Sequence, residues 1–135
     1  MWEGTLGDGM PLRVGVVGVG SMGRNHARVL AELGVLQTVG DADEARASEV
    51  ARALHVKGTS AERALEGLDA VVVATPTATH HDLALRALEQ GLHVLVEKPI
   101  AETSEQAKDL VRRAQKAGRV LAVGHVERHL SLIHI

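Results

Sequence analysis

Three glycines and one aspartate have the residue types and the spacing of a site for phosphate and ribose. Gly18, Gly20 and Gly23 form the pattern G-x-G-x-x-G between an apolar run and a helical pattern. In such a turn the first glycine allows a tight bend, the second removes a side chain where a diphosphate approaches, and the third lets the helix pack on the strand. The anion then lies on the helix N-terminus, here Ser21 and Met22, where free N–H groups and the helix dipole attract it.

Asp41 ends the second apolar run, 18 residues after Gly23. An acidic residue about 20 residues past the last glycine accepts hydrogen bonds from ribose hydroxyls, and its charge repels a 2′-phosphate. The spacing therefore predicts a dinucleotide site that takes NAD rather than NADP. Two alternatives stay open from the sequence: Asp41 as a helix N-cap or a solvated turn residue, and Asp43 as a residue that shares the ribose contact.

Apolar runs and helical patterns alternate along the chain, which predicts right-handed βαβ crossovers. The predicted strands are 13–17, 36–40, 55–57, 70–74, 93–96 and 120–124, and the predicted helices are 21–33, 44–53, 61–65, 79–90 and 103–117. The expected fold is α/β of the Rossmann type, a three-layer α/β/α arrangement around a doubly wound parallel sheet with strand order 3-2-1-4-5-6. The glycine turn, Asp41 and the segments 74–80 and 97–99 then meet at the carboxyl edge of the sheet, where ligands bind.

The composition is that of a single globular domain. Of the 135 residues 45% are hydrophobic, and 15 basic against 17 acidic residues give a net charge of −2. A nucleic-acid or membrane partner is therefore not expected, because the charges are mixed and no apolar run approaches the roughly 20 residues of a membrane span. The lack of cysteine excludes a thiol nucleophile, and no metal site is expected because no histidine pair shares a helical face with acidic partners. No signal peptide is evident, so the cytoplasm is the expected location.

Three segments together resemble a known family: GVGSMGRNHA, ATPTATHH and VEKPIAET. They are similar to the nucleotide-binding half of the Gfo/Idh/MocA oxidoreductases over Leu12 to about Arg128. The resemblance implies hydride transfer between the nicotinamide of NAD and a carbinol carbon of a sugar or polyol, in a parent enzyme that is a homo-oligomer. The segments HHDLALRAL and VGHVER are similar to the branch that oxidises the 3-hydroxyl of UDP-N-acetylated sugars.

The same resemblance implies roles for the residues after the fourth and fifth strands. Lys98 is the implied catalytic residue, whose ammonium stabilises alkoxide charge or relays the proton of the substrate hydroxyl. Glu97 would orient Lys98 or contact the cofactor, and Pro99 would fix the loop through a cis bond. The residues implied to lie near the diphosphate and the nicotinamide ribose are Thr75, Pro76, Thr77 and His80. The alternatives are a surface lysine at Lys98 and a purely structural turn after the fourth strand.

Four other residues receive weaker assignments. His26 is expected to be a surface or packing residue of the first helix, and His81 a solvated helix residue. His125 and Arg128 are candidates for the substrate side of the site. A second hypothesis for the whole chain is a non-catalytic dinucleotide-binding sensor or partner subunit. Lys98 discriminates between the two hypotheses, because a sensor needs no residue that transfers a proton.

The expected domain organisation has three parts. Residues 1–10 are a disordered extension without periodicity, residues 11–128 form the dinucleotide-binding domain, and residues 129–135 are a non-native apolar tail. The family continues with a second domain that holds the substrate, and this domain is expected to be missing. The fragment alone is accordingly expected to be inactive.

Overall fold

The architecture is a six-stranded parallel sheet between two layers of helices. A computed structural model describes residues 11–124. The strands are β1 (Val14–Val17), β2 (Leu36–Gly40), β3 (Lys57–Thr59), β4 (Ala70–Val73), β5 (His93–Glu97) and β6 (Leu121–Gly124), and the helices are α1 (Ser21–Glu32), α2 (Glu44–Leu54), α3 (His80–Glu89) and α4 (Ser104–Ala117). The strand order is β3-β2-β1-β4-β5-β6, and all neighbours are parallel. The predicted Rossmann fold is confirmed.

The valines of the central strands divide the core between the two faces of the sheet. Val16 on β1 packs in a cluster with Ala27 of α1 and Val50 of α2. Its neighbour Val17 packs in a second cluster with Leu83 of α3, on the opposite face. Successive strand residues point to opposite faces, so a sheet covered by helices on both sides needs such continuous apolar runs.

Two predicted elements differ from the observed ones. The third strand was predicted at 55–57 and spans Lys57–Thr59, because His55 has φ 59° and ends α2 in the left-handed conformation. The helix predicted at 61–65 is a single 3-10 turn, Arg63–Leu65. A second 3-10 turn, Thr77–Thr79, leads into α3. Short loops of this kind carry no hydrophobic periodicity, so their geometry depends on the elements that they join.

Several predictions concern residues outside the described part. These are the extension 1–10, the end of the domain at 128, the tail 129–135, and the residues His125 and Arg128. Among the described helices, none is long and apolar enough to cross a membrane.

Candidate functional site

A cleft of about 710 Å³ opens at the carboxyl edge of the sheet, where β1, β2 and β4 end. Its lining residues are Gly18, Gly20, Asp41, Ala42, Arg46, Ala61, Glu62, Ala74, Thr75, Pro76, Thr79, Asp82, Leu83 and Arg86. The cleft lies where the strand order reverses between β1 and β4, the usual ligand position in a doubly wound sheet. Five predicted site residues line it, namely Gly18, Gly20, Asp41, Thr75 and Pro76.

The glycine turn has the packing that its sequence predicts. Gly18 has φ +92°, and a Cβ there would lie 2.6 Å from the backbone of Ala74. A Cβ on Gly23 would overlap the carbonyl oxygen of Gly18, so the third glycine is needed for the helix to approach the turn. A Cβ on Gly20, in contrast, meets nothing within 4 Å. The second glycine is therefore not required by protein packing.

The N-terminus of α1 beside this turn is suited to an anion. Its N-cap residue is Gly20, which offers no side chain for capping, and the first turn contains no acidic residue. Ser21 and Met22 are exposed at this end of the helix. The donors of the first helical turn and the positive end of the helix dipole therefore face open space, as a diphosphate site requires.

Asp41 is held against the glycine turn rather than capping a helix. It is 8% exposed, and its carboxylate accepts hydrogen bonds from the backbone N–H groups of Val19 at 2.9 Å and Asp43 at 2.8 Å. Asp43 is the N-cap of α2, because its side chain accepts from the N–H groups of Ala45 and Arg46. The N-cap is therefore Asp43, and Asp41 is the cleft carboxylate that lies against the glycine turn.

The loop after β4 is braced by its own hydroxyls. The hydroxyl of Thr79 lies 2.7 Å from the Thr75 hydroxyl and 2.7 Å from the carbonyl oxygen of Pro76. Thr75 and Pro76 line the cleft, whereas Thr77 begins the 3-10 turn and is not among the lining residues. The same loop therefore lines the cleft with Thr75 and Pro76 and forms a structural turn from Thr77.

His80 lies beneath this loop and joins it to the loop after β5. The residue is 1% exposed, and its Nδ1 and Nε2 atoms lie 2.9 Å and 2.8 Å from the carbonyl oxygens of Pro99 and Thr75. Both ring nitrogens are thus occupied by protein groups. The ring faces these backbone carbonyls, and His80 is not among the residues that line the cleft.

Glu97 and Lys98 differ sharply in exposure. Glu97 is 5% exposed and faces His26, whose Nε2 atom lies 2.5 Å from Glu97 Oε1. Lys98 is exposed, and the Lys98–Pro99 peptide bond is cis, as the sequence suggested. Neither Glu97 nor Lys98 is among the residues that line the cleft.

Two histidines have partners that the sequence did not specify. His26 is paired with Glu97, and its side chain is 12% exposed. His81 is not simply solvated, because its Nε2 atom lies 2.8 Å from Asp109 Oδ2 on α4. The hydrogen bond from His81 holds the pKa of Asp109 below its usual value, against the opposing effect of desolvation.

The sequence reasoning missed four charged residues of the cleft: Arg46, Glu62, Asp82 and Arg86. Arg46 lies 3.9 Å from the Asp41 carboxylate, and Arg86 donates to Asp82 at 3.0 Å. The sequence offered two signals: Arg46 lies five residues past Asp41, and Asp82 and Arg86 form an i,i+4 pair on α3. Neither signal identifies a cleft without knowledge of which helix faces it.

Comparison with known proteins decides the family. The model of the Gfo/Idh/MocA oxidoreductase family, described as an NAD-binding Rossmann fold, matches residues 12–125. The chain belongs to this family. The match covers the glycine turn, Asp41 and the loops after β4 and β5, and it supports a nicotinamide cofactor.

Three relatives illustrate the range of the family. UDP-N-acetylglucosamine 3-dehydrogenase from Acidithiobacillus ferrooxidans is 42% identical over 87% of this chain, and its solved structure superposes with a TM-score of 0.82. The scyllo-inositol 2-dehydrogenase (NAD(+)) of Bacillus subtilis is 36% identical over 87% of this chain. Biliverdin reductase from Synechocystis, solved with biliverdin and NADP+, is 29% identical over 87% of this chain with a TM-score of 0.79.

The match to each relative is confined to one part of that relative. The chain spans 38% of the UDP-N-acetylglucosamine 3-dehydrogenase, 36% of the scyllo-inositol 2-dehydrogenase and 39% of the biliverdin reductase. The homologues include dehydrogenases of sugars and polyols, so an oxidoreductase parent is supported for the domain.

Proposed function

We propose that this domain binds NAD(H), in preference to NADP(H), as the cofactor-binding half of a dehydrogenase that acts on a carbinol of a sugar or polyol. The observation that carries the proposal is the uncapped N-terminus of α1 beside Gly20, where added side-chain volume would meet no protein atom. Open space of this kind, at a helix N-terminus and at the reversal of strand order, fits a diphosphate.

The preference for NAD rests on Asp41. Its carboxylate lies at the end of β2 and lines the cleft, where it can accept hydrogen bonds from the hydroxyls of the adenosine ribose. A 2′-phosphate at the same place would meet this negative charge. Arg46 opposes that effect, because a guanidinium 3.9 Å from Asp41 is a potential phosphate partner. The backbone contacts of Asp41 keep the carboxylate in place, which favours NAD.

Lys98 is proposed as the catalytic residue. When bound, the nicotinamide supplies the position that accepts or donates the hydride. The Lys98 ammonium is exposed at the carboxyl end of β5 and would hold or move the proton of the reacting hydroxyl. The similarity to UDP-N-acetylglucosamine 3-dehydrogenase supports a nucleotide-sugar 3-hydroxyl as the substrate group.

The test uses Gly20→Ala, a substitution that the protein can accept. Gly20 has φ −70°, and the added methyl group meets no atom within 4 Å, so the fold should be retained. The methyl group would occupy the approach of the diphosphate. We expect calorimetry to show NADH affinity lowered by at least about tenfold, or 1.4 kcal/mol.

Gly34→Ala is the matched control. Gly34 lies beyond the far end of α1 with φ +76° and open space around it. The substitution is therefore strained and lowers stability by about 1 kcal/mol, yet it should leave NADH affinity unchanged. The proposal is wrong if the unmodified chain binds no NADH, or if Gly20→Ala binds NADH as well as the unmodified chain does.

A further inference from the structure

The residue before Lys98 is bound to a helix on one face of the sheet. Glu97 is almost fully buried, and its Oε1 atom lies 2.5 Å from Nε2 of His26 on α1. Its second oxygen, Oε2, is also buried and has no hydrogen-bond partner among residues 11–124. A buried carboxylate is costly unless it is paired, so the His26 contact is the interaction that keeps this side chain in place.

The residue after Lys98 is bound to a helix on the other face. The carbonyl oxygen of Pro99 lies 2.9 Å from Nδ1 of His80, the first residue of α3. A carbonyl oxygen can only accept a hydrogen bond, so the histidine ring is the donor in this contact. The carbonyl oxygen of Thr75 lies 2.8 Å from Nε2 of the same ring, so His80 bridges the two loops.

Few direct contacts orient the Lys98 side chain. Its backbone N–H donates to the carbonyl oxygen of Gly124 at 3.2 Å. Among the described residues, its side chain forms no hydrogen bond or ion pair with the protein. A lysine stem is flexible, so the direction of the ammonium depends on how firmly the backbone on each side is held.

We propose that His26 and His80 are positioning residues that clamp the Lys98 segment, His26 through the Glu97 carboxylate and His80 through the Pro99 carbonyl. This inference rests on the role of Lys98 in the proposed function. The clamp joins α1 and α3, which pack on opposite faces of the sheet, to the same three-residue segment. A reacting group needs such support from neighbouring contacts, because small displacements weaken catalysis strongly.

The test observes Lys98 directly. Reductive methylation with carbon-13 formaldehyde labels the lysines of the 135-residue chain, and the NMR signal of Lys98 is assigned by its loss in Lys98→Ala. We expect His26→Ala and His80→Ala each to shift the Lys98 signal while the signals of the other lysines stay in place. His26→Gln, whose amide can still donate to Glu97, should return the signal to its unmodified position.

His81→Ala is the matched control, because His81 neighbours His80 on α3 but contacts Asp109 on α4. It should leave the Lys98 signal unmoved. The proposal is overturned if both alanine variants are folded and neither shifts Lys98, or if His81→Ala shifts it equally. Should His80→Ala fail to fold, the His26 pair of variants decides the question, since His26 is partly exposed.

A separate NADH titration of the unmodified chain tests the proposed function apart from the clamp. Failure to bind NADH would overturn the proposed function. The Lys98 signal is measured in the free protein, so the clamp is confirmed or overturned independently of that result.

Discussion

Replacing Asp41 with alanine should separate the structural and the cofactor-selecting effects of one carboxylate. The Val19 N–H donates to Asp41 at 2.9 Å, and Val19 is fully buried, so this donor would lose its partner without gaining water. A hydrogen bond to a charged group contributes about 1.5–3 kcal/mol. The Asp43 N–H belongs to an exposed residue and can turn to solvent. We therefore expect Asp41→Ala to lower the free energy of unfolding by about 1.5–3 kcal/mol, measured by urea denaturation.

The effect on cofactor choice has a different origin. Two like charges about 4 Å apart repel by about 4 kcal/mol at an effective dielectric constant near 20, and Arg46 cancels part of this repulsion. Removing the carboxylate should lower the NADH-to-NADPH affinity ratio by at least about tenfold, or 1.4 kcal/mol. Calorimetric titration with both cofactors measures the ratio directly.

Asp43→Ala provides the control for this experiment. Asp43 is the exposed N-cap of α2, so its loss should cost about 1 kcal/mol of stability without changing the cofactor ratio. An unchanged ratio in Asp41→Ala, or NADPH bound more tightly than NADH by the unmodified chain, would refute the reasoning. Asp41 would then support the glycine turn and would not select the cofactor.

Three further predictions follow from the packing and the charges. Gly23→Ala should destabilise the domain by at least about 2 kcal/mol in urea unfolding, because the new Cβ overlaps the Gly18 carbonyl; equal stability would contradict the observed turn. Lys98→Ala should change NADH affinity little, yet lower turnover of a whole enzyme that contains this domain by about 10²–10⁴-fold, and near-normal turnover would favour a sensor. The His81 hydrogen bond lowers the pKa of Asp109 in the folded state. The ionised carboxylate therefore stabilises the fold at pH values above its ordinary pKa of 3.8, and this stabilisation is lost as the pH falls through the lowered pKa. Asp109→Asn should therefore flatten the acid side of the plot of unfolding free energy against pH, and an unaltered acid slope would show that the pair contributes nothing.

The fold and part of the cleft were predictable because their signals are local. A strand is recognised by a short apolar run and a helix by its period, and the glycine pattern joins the two at a fixed spacing. Asp41 was predictable because it ends β2, and the carboxyl end of a strand next to β1 must lie near the turn after β1. These inferences need only residues close in sequence and the rules of parallel-sheet topology.

The remaining contacts join residues that the sequence separates and that no period connects. His26 and Glu97 are 71 residues apart, His81 and Asp109 are 28 apart, and nothing in either segment specifies the partner. The order of the strands decides that the loops after β4 and β5 are neighbours. Because these loops are neighbours, the buried His80 can contact both of them. Which helices cover each face of the sheet then decides which charged side chains reach the cleft. The sequence by itself determined the elements, their order and the glycine turn. The tertiary structure decided which side chains contact the segment around Lys98, because those contacts come from helices on both faces of the sheet.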